Sequence, residues 1–255
     1  MKRLALFARR PVPGQVKTRL IPALTARLAC RLHQAMLADA MALLAAAPAD
    51  ERWLYWANSG LDGAAGARGA VAVGGAEIGA ATRDDSGIEV VTVPAGVGER
   101  SQAGADLGER LERAFSDLLA GGAHAVVFGS DCPWLGAAHT GEAFDALERA
   151  DVVIGPASDG GYTLIGLRAP RPELFHGIEW GSSRVMAQTL ARTSEGGPRV
   201  ERLETLDDLD DAEDLLRTIQ RFTAQRISAR GAAGGAPQNL TRALERLALL
   251  PAVER

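Results

Sequence analysis

The chain has only two cysteines, Cys30 and Cys132, among its 255 residues. That is too few for a disulfide framework, and they lack the paired spacing of a structural zinc site. A reducing compartment is expected. Also missing is any run near the roughly 18 uncharged apolar residues that a spanning helix needs, so the expectation is a soluble protein with no membrane partner. The opening MKRLALFARRPVPG imitates a signal peptide only briefly. Its apolar stretch 4–8 stops at Arg9 and Arg10, short of the roughly 7 residues of an h-region, and a mature cytoplasmic start is expected. Nor is there a basic excess: 28 lysines and arginines face 32 acids for a net charge of -4, which removes the general footprint of a nucleic-acid binder. No internal repeat is visible. With 47% hydrophobic and 24% charged residues, the composition is that of a globular protein able to bury a sizeable core.

Short apolar runs alternate with amphipathic segments. The run 4–8 reads as a buried first strand followed by a loop with two prolines and a glycine. Residues 23–47 read as a long helix, with Leu28, Leu32, Met36, Asp39 and Leu43 at helical spacing and Asp39 the one polar exception. Strands are expected at 53–57 and 88–93, separated by a Gly/Ala-rich stretch, 59–87, read as a flexible insertion. Helices at 105–120, 140–150, 182–192 and 211–222 alternate with strands at 124–129, 151–156, 162–167 and 199–203, the pattern of a layered α/β sheet. A second Gly/Ala stretch, 231–236, leads to an apolar tail, 240–250, expected to be a helix docked on the body or on a partner.

Four segments carry candidate chemistry. FARRPVPGQVKTRL crowds Arg9, Arg10, Lys17 and Arg19 into the loop after strand one. Ligands bind at that end of an α/β sheet, and clustered cations suit a phosphate; the alternative is a solvated basic loop. A Walker loop fails on spacing, because Gly14 is two residues too far from Lys17. VVFGSDCP delivers Ser130 and Asp131 at a strand end, where a carboxylate can hold Mg²⁺ or Mn²⁺ against a diphosphate, or simply cap the next turn. GPASDGGYTLIG places Asp159 beside Gly160 and Gly161, either a ligand-facing turn or a plain hairpin. In LDDLDDAEDLL, Asp211, Glu213 and Asp214 suit the acidic first turn of a helix, leaving Asp208 and Asp210 freer to bind metal.

Weaker signals have blander readings. GVGERS (96–101) imitates a dinucleotide fingerprint, but Ser101 replaces the third glycine. Cys132 reads as a structural thiol rather than a nucleophile. Trp180 suits stacking on a base or sugar as well as it suits the core.

Taken in order, FARRPVPGQVKTRL, SQAGADLGERL, GSDCP, DGGYTLIGL, IEWGSS and DLDDAEDL resemble a family of bacterial GT-A-type glycosyltransferases, the nucleotide-diphospho-sugar transferase-like proteins, some of them named for arsenosugar biosynthesis. The layout is also similar to that of phospholactate guanylyltransferases and molybdopterin nucleotidyltransferases. The resemblance spans roughly Lys2 to Arg226. It implies a GT-A-like α/β fold with a central, mostly parallel sheet flanked by helices: a catalytic domain over 1–226, carrying the insertion 59–87, then a linker and C-terminal helix over 227–255. It implies that Arg9, Lys17 and Arg19 meet the nucleotide diphosphate, that Gln102, Gly104 and Asp106 lie at the base or sugar, and that Asp131 and Asp210 hold the metal. Gly160, Gly161, Tyr162 and Trp180 would face the acceptor or sugar, with Asp159 orienting the acceptor or acting as base. The family's usual ThrPro is Asp211-Ala212 here, and the insertion is longer than the family needs.

The expected activity is Mg²⁺- or Mn²⁺-dependent transfer of a sugar from a nucleoside diphosphate sugar to a small acceptor. Nucleotidyl transfer with release of pyrophosphate is the alternative enzyme class, and a non-catalytic nucleotide-sugar-binding protein the alternative outside catalysis.

Overall fold

The first apolar run becomes β1 (Lys2–Arg9), an inner strand whose faces are covered on both sides. Leu4, Leu6 and Ala8 face one layer and Ala5 and Phe7 the other, so a continuous apolar run satisfies two helical layers through the two-residue period of a strand. The computed structural model describes residues 1–57, 91–193, 197–228, 237–247 and 249. Among these, β1 joins β2 (Glu51–Ala57), β3 (Val97–Ser101), β4 (His124–Gly129), β5 (Val152–Pro156), β6 (Tyr162–Leu167) and β7 (Val200–Arg202) in one sheet of order β3-β2-β1-β4-β6-β5-β7. Only β6 is reversed, antiparallel to β4 and β5, so the other strands all end on the same edge.

Helices α1 (Ala26–Ala46) and α3 (Ala137–Ala146) cover one face. Leu37, Met41 and Leu44 of α1 and Phe144 of α3 pack in the layer of Leu4 and Leu6. On the other face, α2 (Leu107–Leu118) brings Leu111, Phe115 and Leu118 against Ala5 and Val127. Helices α4 (Val185–Ala191), α5 (Ala212–Ser228) and α6 (Gln238–Arg246) complete the described α-helices. This is the expected α/β architecture, a mostly parallel sheet flanked by helices.

The third strand corrects the sequence reading. Of 88–93, residues 88–90 lie outside the described residues and 91–93 have no regular structure, their apolar side chains Val91 and Val93 packing on the core as a loop. β3 is instead the VGERS of the supposed dinucleotide fingerprint. What makes it a strand is β2 beside it. Gly98 sits opposite Trp53, where a Cβ would come within 2.5 Å of the indole. Arg100 lies over that ring at 4.2 Å, and Trp56 Nε1 donates to Glu99 at 2.7 Å. Cross-strand partners, not intrinsic β-propensity, hold it. The expected insertion 59–87 and the Gly/Ala stretch 231–236 lie outside the described residues.

Asp39, the polar exception in α1, has a partner that its own helix does not reveal. Its carboxylate accepts from the backbone N–H of Asn239 at 3.0 Å and of Leu240 at 2.8 Å, and from the Asn239 amide at 3.0 Å. α6 has no side-chain cap of its own, so Asp39 satisfies its first-turn donors from outside, while Leu240 and Leu244 pack with Leu32 and Met36. Asp39→Ala is expected to destabilise the protein by about 1–2 kcal/mol, the value of a lost helix cap, and to expose α6 first. Urea unfolding combined with limited proteolysis at the tail checks both.

Candidate active site

The common edge of the sheet opens into a cavity of about 600 Å³, within the range of small-molecule sites. Two loops and two turns build it, each anchored by apolar residues so that its polar ones face inward.

The loop after β1 is pinned by Val16 and Leu20, both buried. Between them Lys17 adopts φ 49°, the one non-glycine residue with positive φ among the described residues. That conformation carries a steric cost for an L-residue, and here it turns the side chain inward. The Lys17 ammonium lies 2.5 Å from Asp131 Oδ1, 2.7 Å from Asp210 Oδ1 and 2.6 Å from the Leu209 carbonyl, with only 4% of its side chain exposed. Burial pulls its pKa down, but Asp131 and Asp210 outweigh that and hold it above the ordinary lysine value. Arg9 and Arg19 line the same cavity and are exposed. Arg10 instead lies over the Trp56 ring at 4.5 Å.

β4 ends at Gly129 and hands Ser130 and Asp131 to the cavity. The Asp131 side chain is 50% exposed. Burial would raise its carboxyl, but Lys17 foremost, with His33 and Arg9, brings it below the usual carboxylate value. The last acidic motif divides as its sequence implied. Asp211 Oδ1 accepts from the backbone N–H groups of Glu213 and Asp214, and Asp214 Oδ2 accepts from those of Asp210 and Asp211. This reciprocal cap starts α5. Asp208 and Asp210 are left to the cavity. Asp159, Asp208 and Asp210 each bring a carboxylate oxygen within 4.8 Å of the others. Burial, then Asp159, Asp210 and Asp214, push the Asp208 carboxyl up to about 7. An all-oxygen, carboxylate donor set of this kind fits a hard divalent ion such as Mg²⁺ or Mn²⁺.

The DGGY turn is a hairpin between β5 and β6, as the plain reading had it, and it is also a docking point. Asp159 Oδ1 accepts from Gly161 N at 2.8 Å. Gly160 has φ +92° and lies against the Ser183 carbonyl, with Met186 N donating to its own carbonyl at 2.8 Å. This contact brings Trp180 to the rim, edge-on to Tyr162 at 6.3 Å. Trp180 therefore combines both sequence readings, partly packed on the core and partly lining the cavity. Burial pushes the Tyr162 hydroxyl far above its ordinary value.

Gln102 is buried, its amide nitrogen donating to the Tyr55 carbonyl at 2.9 Å, and it lines the cavity together with Asp106. Asp106 also caps α2 through Glu109 N. Gly104 and Gly160 do not line the cavity; each serves a close backbone approach, Gly104 against Glu109 and Arg110. Sequence reading missed Arg110 and His33, which also line the cavity. Arg110 sits on an amphipathic helix like any solvated arginine. His33 is 3% exposed, with Nε2 3.0 Å from the Arg9 carbonyl and Nδ1 without a partner among the described residues, and no motif surrounds it. Cys132 also lines the cavity, its thiol 3.3 Å from the Asp207 carbonyl, and burial pushes the thiol up to about 12, which suits a structural thiol rather than a nucleophile.

The sheet order, the single reversed strand and the placement of the cavity define a GT-A-like fold of the nucleotide-diphospho-sugar transferase type. The family described as "Uncharacterized protein conserved in bacteria (DUF2064)" matches residues 61–182. A crystal structure from Desulfovibrio desulfuricans G20, of a protein provisionally named a nucleotide-diphospho-sugar transferase, is 25% identical, covers 96% of each chain and superposes with a TM-score of 0.72. A cytidylyltransferase from Leptospira borgpetersenii serovar Hardjo-bovis shares the fold at 10% identity, with 100% of this chain and 98% of that one covered and a TM-score of 0.50. No curated protein matches the chain significantly. The fold implied by the six sequence blocks is therefore the one observed. No described helix is long and apolar enough to cross a membrane.

Proposed function

We propose that the chain is a metal-dependent glycosyltransferase that moves a sugar from a nucleoside diphosphate sugar to a small acceptor. One observation carries this reading: a single cavity is lined by the cations Arg9, Arg19 and Arg110 and by five aspartates, Asp106, Asp131, Asp159, Asp208 and Asp210. Cations alone would suit any phosphate. Converging carboxylates beside them suit a phosphate that arrives with a divalent metal. The similarity to the Desulfovibrio protein provisionally named a nucleotide-diphospho-sugar transferase supports the same class.

In this reading Asp131 and Asp210 would hold Mg²⁺ or Mn²⁺, with Asp208 beside them, and the ion would supply charge neutralisation at the departing diphosphate. Arg9 and Arg19 offer charge-assisted hydrogen bonds to its oxygens. Gln102 and Asp106 lie on the nucleotide side. Asp159 has one oxygen fixed by Gly161 N and a carboxylate oxygen within 4.8 Å of those of Asp208 and Asp210, so an acceptor hydroxyl oriented by Asp159 would lie beside the metal-binding carboxylates. Tyr162 and Trp180 shape the sugar side of the cavity. Nucleotidyl transfer uses much of the same equipment, and the cytidylyltransferase shows that this fold is compatible with it.

The deciding experiment is a thermal-shift panel of nucleoside diphosphates, triphosphates and sugar nucleotides, each with and without Mn²⁺, because ligands that bind the native state raise its stability by mass action. Stabilisation by a diphosphate and its sugar derivative supports glycosyl transfer. Stabilisation by a triphosphate alone replaces it with nucleotidyl transfer, and stabilisation by none removes both. In the same assay Arg19→Ala is expected to weaken the diphosphate and its sugar derivative equally, by about 1.5 kcal/mol, the lower end for a hydrogen bond to a charged group because the side chain is exposed. An Arg19 variant that binds free diphosphate normally contradicts that role.

A further inference from the structure

Lys17 was expected from sequence to meet a phosphate, yet its donors are spent elsewhere. A lysine ammonium has three N–H donors, and three acceptors converge on it: Asp131 Oδ1 at 2.5 Å, the Leu209 carbonyl at 2.6 Å and Asp210 Oδ1 at 2.7 Å. None is left over for a ligand. Two carboxylates and a carbonyl gathered around one point also resemble the oxygen nest of a metal ion, whose ligand distances run from about 2.0 Å for Mg²⁺ to about 2.6 Å for Ca²⁺. The ammonium sits where such an ion would draw on the same oxygens.

We propose that Lys17 is a tethered stand-in cation: it occupies the nest formed by Asp131, Asp210 and the Leu209 carbonyl in the metal-free protein, and a divalent ion enters that nest only by expelling it. Charge gives the stand-in its purpose, because Asp131 and Asp210 meet at one point and would repel one another without a cation between them. Backbone conformation supplies the means of release. Lys17 is held at φ 49° between the buried anchors Val16 and Leu20, a strained conformation for an L-residue that its side-chain contacts help to hold, so that losing them lowers the cost of turning the side chain outward. The expelled ammonium regains three free donors beside Arg9 and Arg19, and becomes available to phosphate only when metal is already in place. Ordered loading, metal before full phosphate capture, follows.

This inference rests on the metal-binding half of the proposed function, so its test uses Mn²⁺ alone and can fail independently of any nucleotide chemistry. Lys17 is one of two lysines in the chain, the other being Lys2, so lysine acetylation read by peptide mass spectrometry reports on both separately. Lys17 should be protected in the metal-free protein and become at least about tenfold more reactive at saturating Mn²⁺, a factor corresponding to about 1.4 kcal/mol, while Lys2 stays constant. Lys17→Met should bind Mn²⁺ at least about tenfold more tightly than the wild type by calorimetric titration. Unchanged protection of Lys17 at saturating Mn²⁺ overturns the proposal. It does so even if the methionine variant binds the ion more tightly, because removal of a positive charge alone produces that gain. Should the variant fail to fold, the acetylation of the wild-type protein decides the matter.

Discussion

Replacing Asp131 by alanine is expected to abolish the Mn²⁺-dependent part of nucleoside diphosphate binding while leaving the protein folded. The side chain emerges after the last residue of β4 and is half exposed to the cavity, so no core packing is lost. What is lost is the shortest contact of the buried Lys17 ammonium. Breaking a fully buried ion pair costs about 3–5 kcal/mol. Here one partner is half solvated and Lys17 keeps Asp210 and the Leu209 carbonyl, so about 2 kcal/mol is expected, in line with a charged hydrogen bond. The pH dependence follows from the depressed carboxyl of Asp131. A carboxylate whose folded pKa lies below its unfolded value contributes stability that is present above the unfolded pKa and is lost as pH falls through the folded one. The wild type should therefore lose on the acid side, below about pH 4, a contribution that the alanine variant never had. Calorimetric titration with and without Mn²⁺, together with melting curves at pH 7 and pH 3, reads all three effects. Unchanged metal dependence of binding removes Asp131 from the site.

Gly160→Ala should be more damaging to the fold and should reach the site through it. A Cβ at this position would lie 2.1 Å from the Ser183 carbonyl oxygen and 2.8 Å from its carbon, and the φ of +92° is already unfavourable for any L-residue. Both colliding groups are backbone, so neither can rotate away. Strain of this kind costs about 1–3 kcal/mol per residue, and the forced separation of the DGGY turn from segment 181–186 adds the lost hydrogen bond from Met186 N. A total near 3 kcal/mol lowers the melting temperature by about 6–12 °C in a chain of this size. The same separation moves Trp180 away from Tyr162, so the variant should also bind sugar nucleotide more weakly while retaining its affinity for the free diphosphate. A melting temperature within about 2 °C of the wild type, a third or less of the expected loss, would mean that the turn and the segment are not locked together.

Much of the fold follows from patterns that are local. Leu4 to Ala8 reads as a two-faced strand because every residue in it is apolar, and 23–47 as a helix because its apolar residues recur at helical spacing; the structure starts that helix at Ala26, where Thr25 caps it through Leu28 N. The division of LDDLDDAEDLL was also legible, because capping is settled within four residues: Asp211 and Asp214 are taken by the turn they start. β3 was not legible. Its residues have low strand propensity, and the cause of its conformation, the indole rings of Trp53 and Trp56, lies more than forty positions away. Asp39 looked like a flaw in an apolar stripe for the same reason, since its partners are two hundred positions further on.

The sequence by itself determined the alternation of strands and helices, the order of the six motif blocks and the chemical type of each candidate side chain, because these depend on residue identity and near neighbours. Only the tertiary structure decided what those side chains meet. Lys17, Asp131 and Asp210 are separated by 114 and 79 positions along the chain, and the parallel edge of the sheet brings all three within hydrogen-bond distance. A cation written in sequence as a phosphate ligand is thereby held by carboxylates, because burial leaves an ammonium stable only where opposite charge surrounds it.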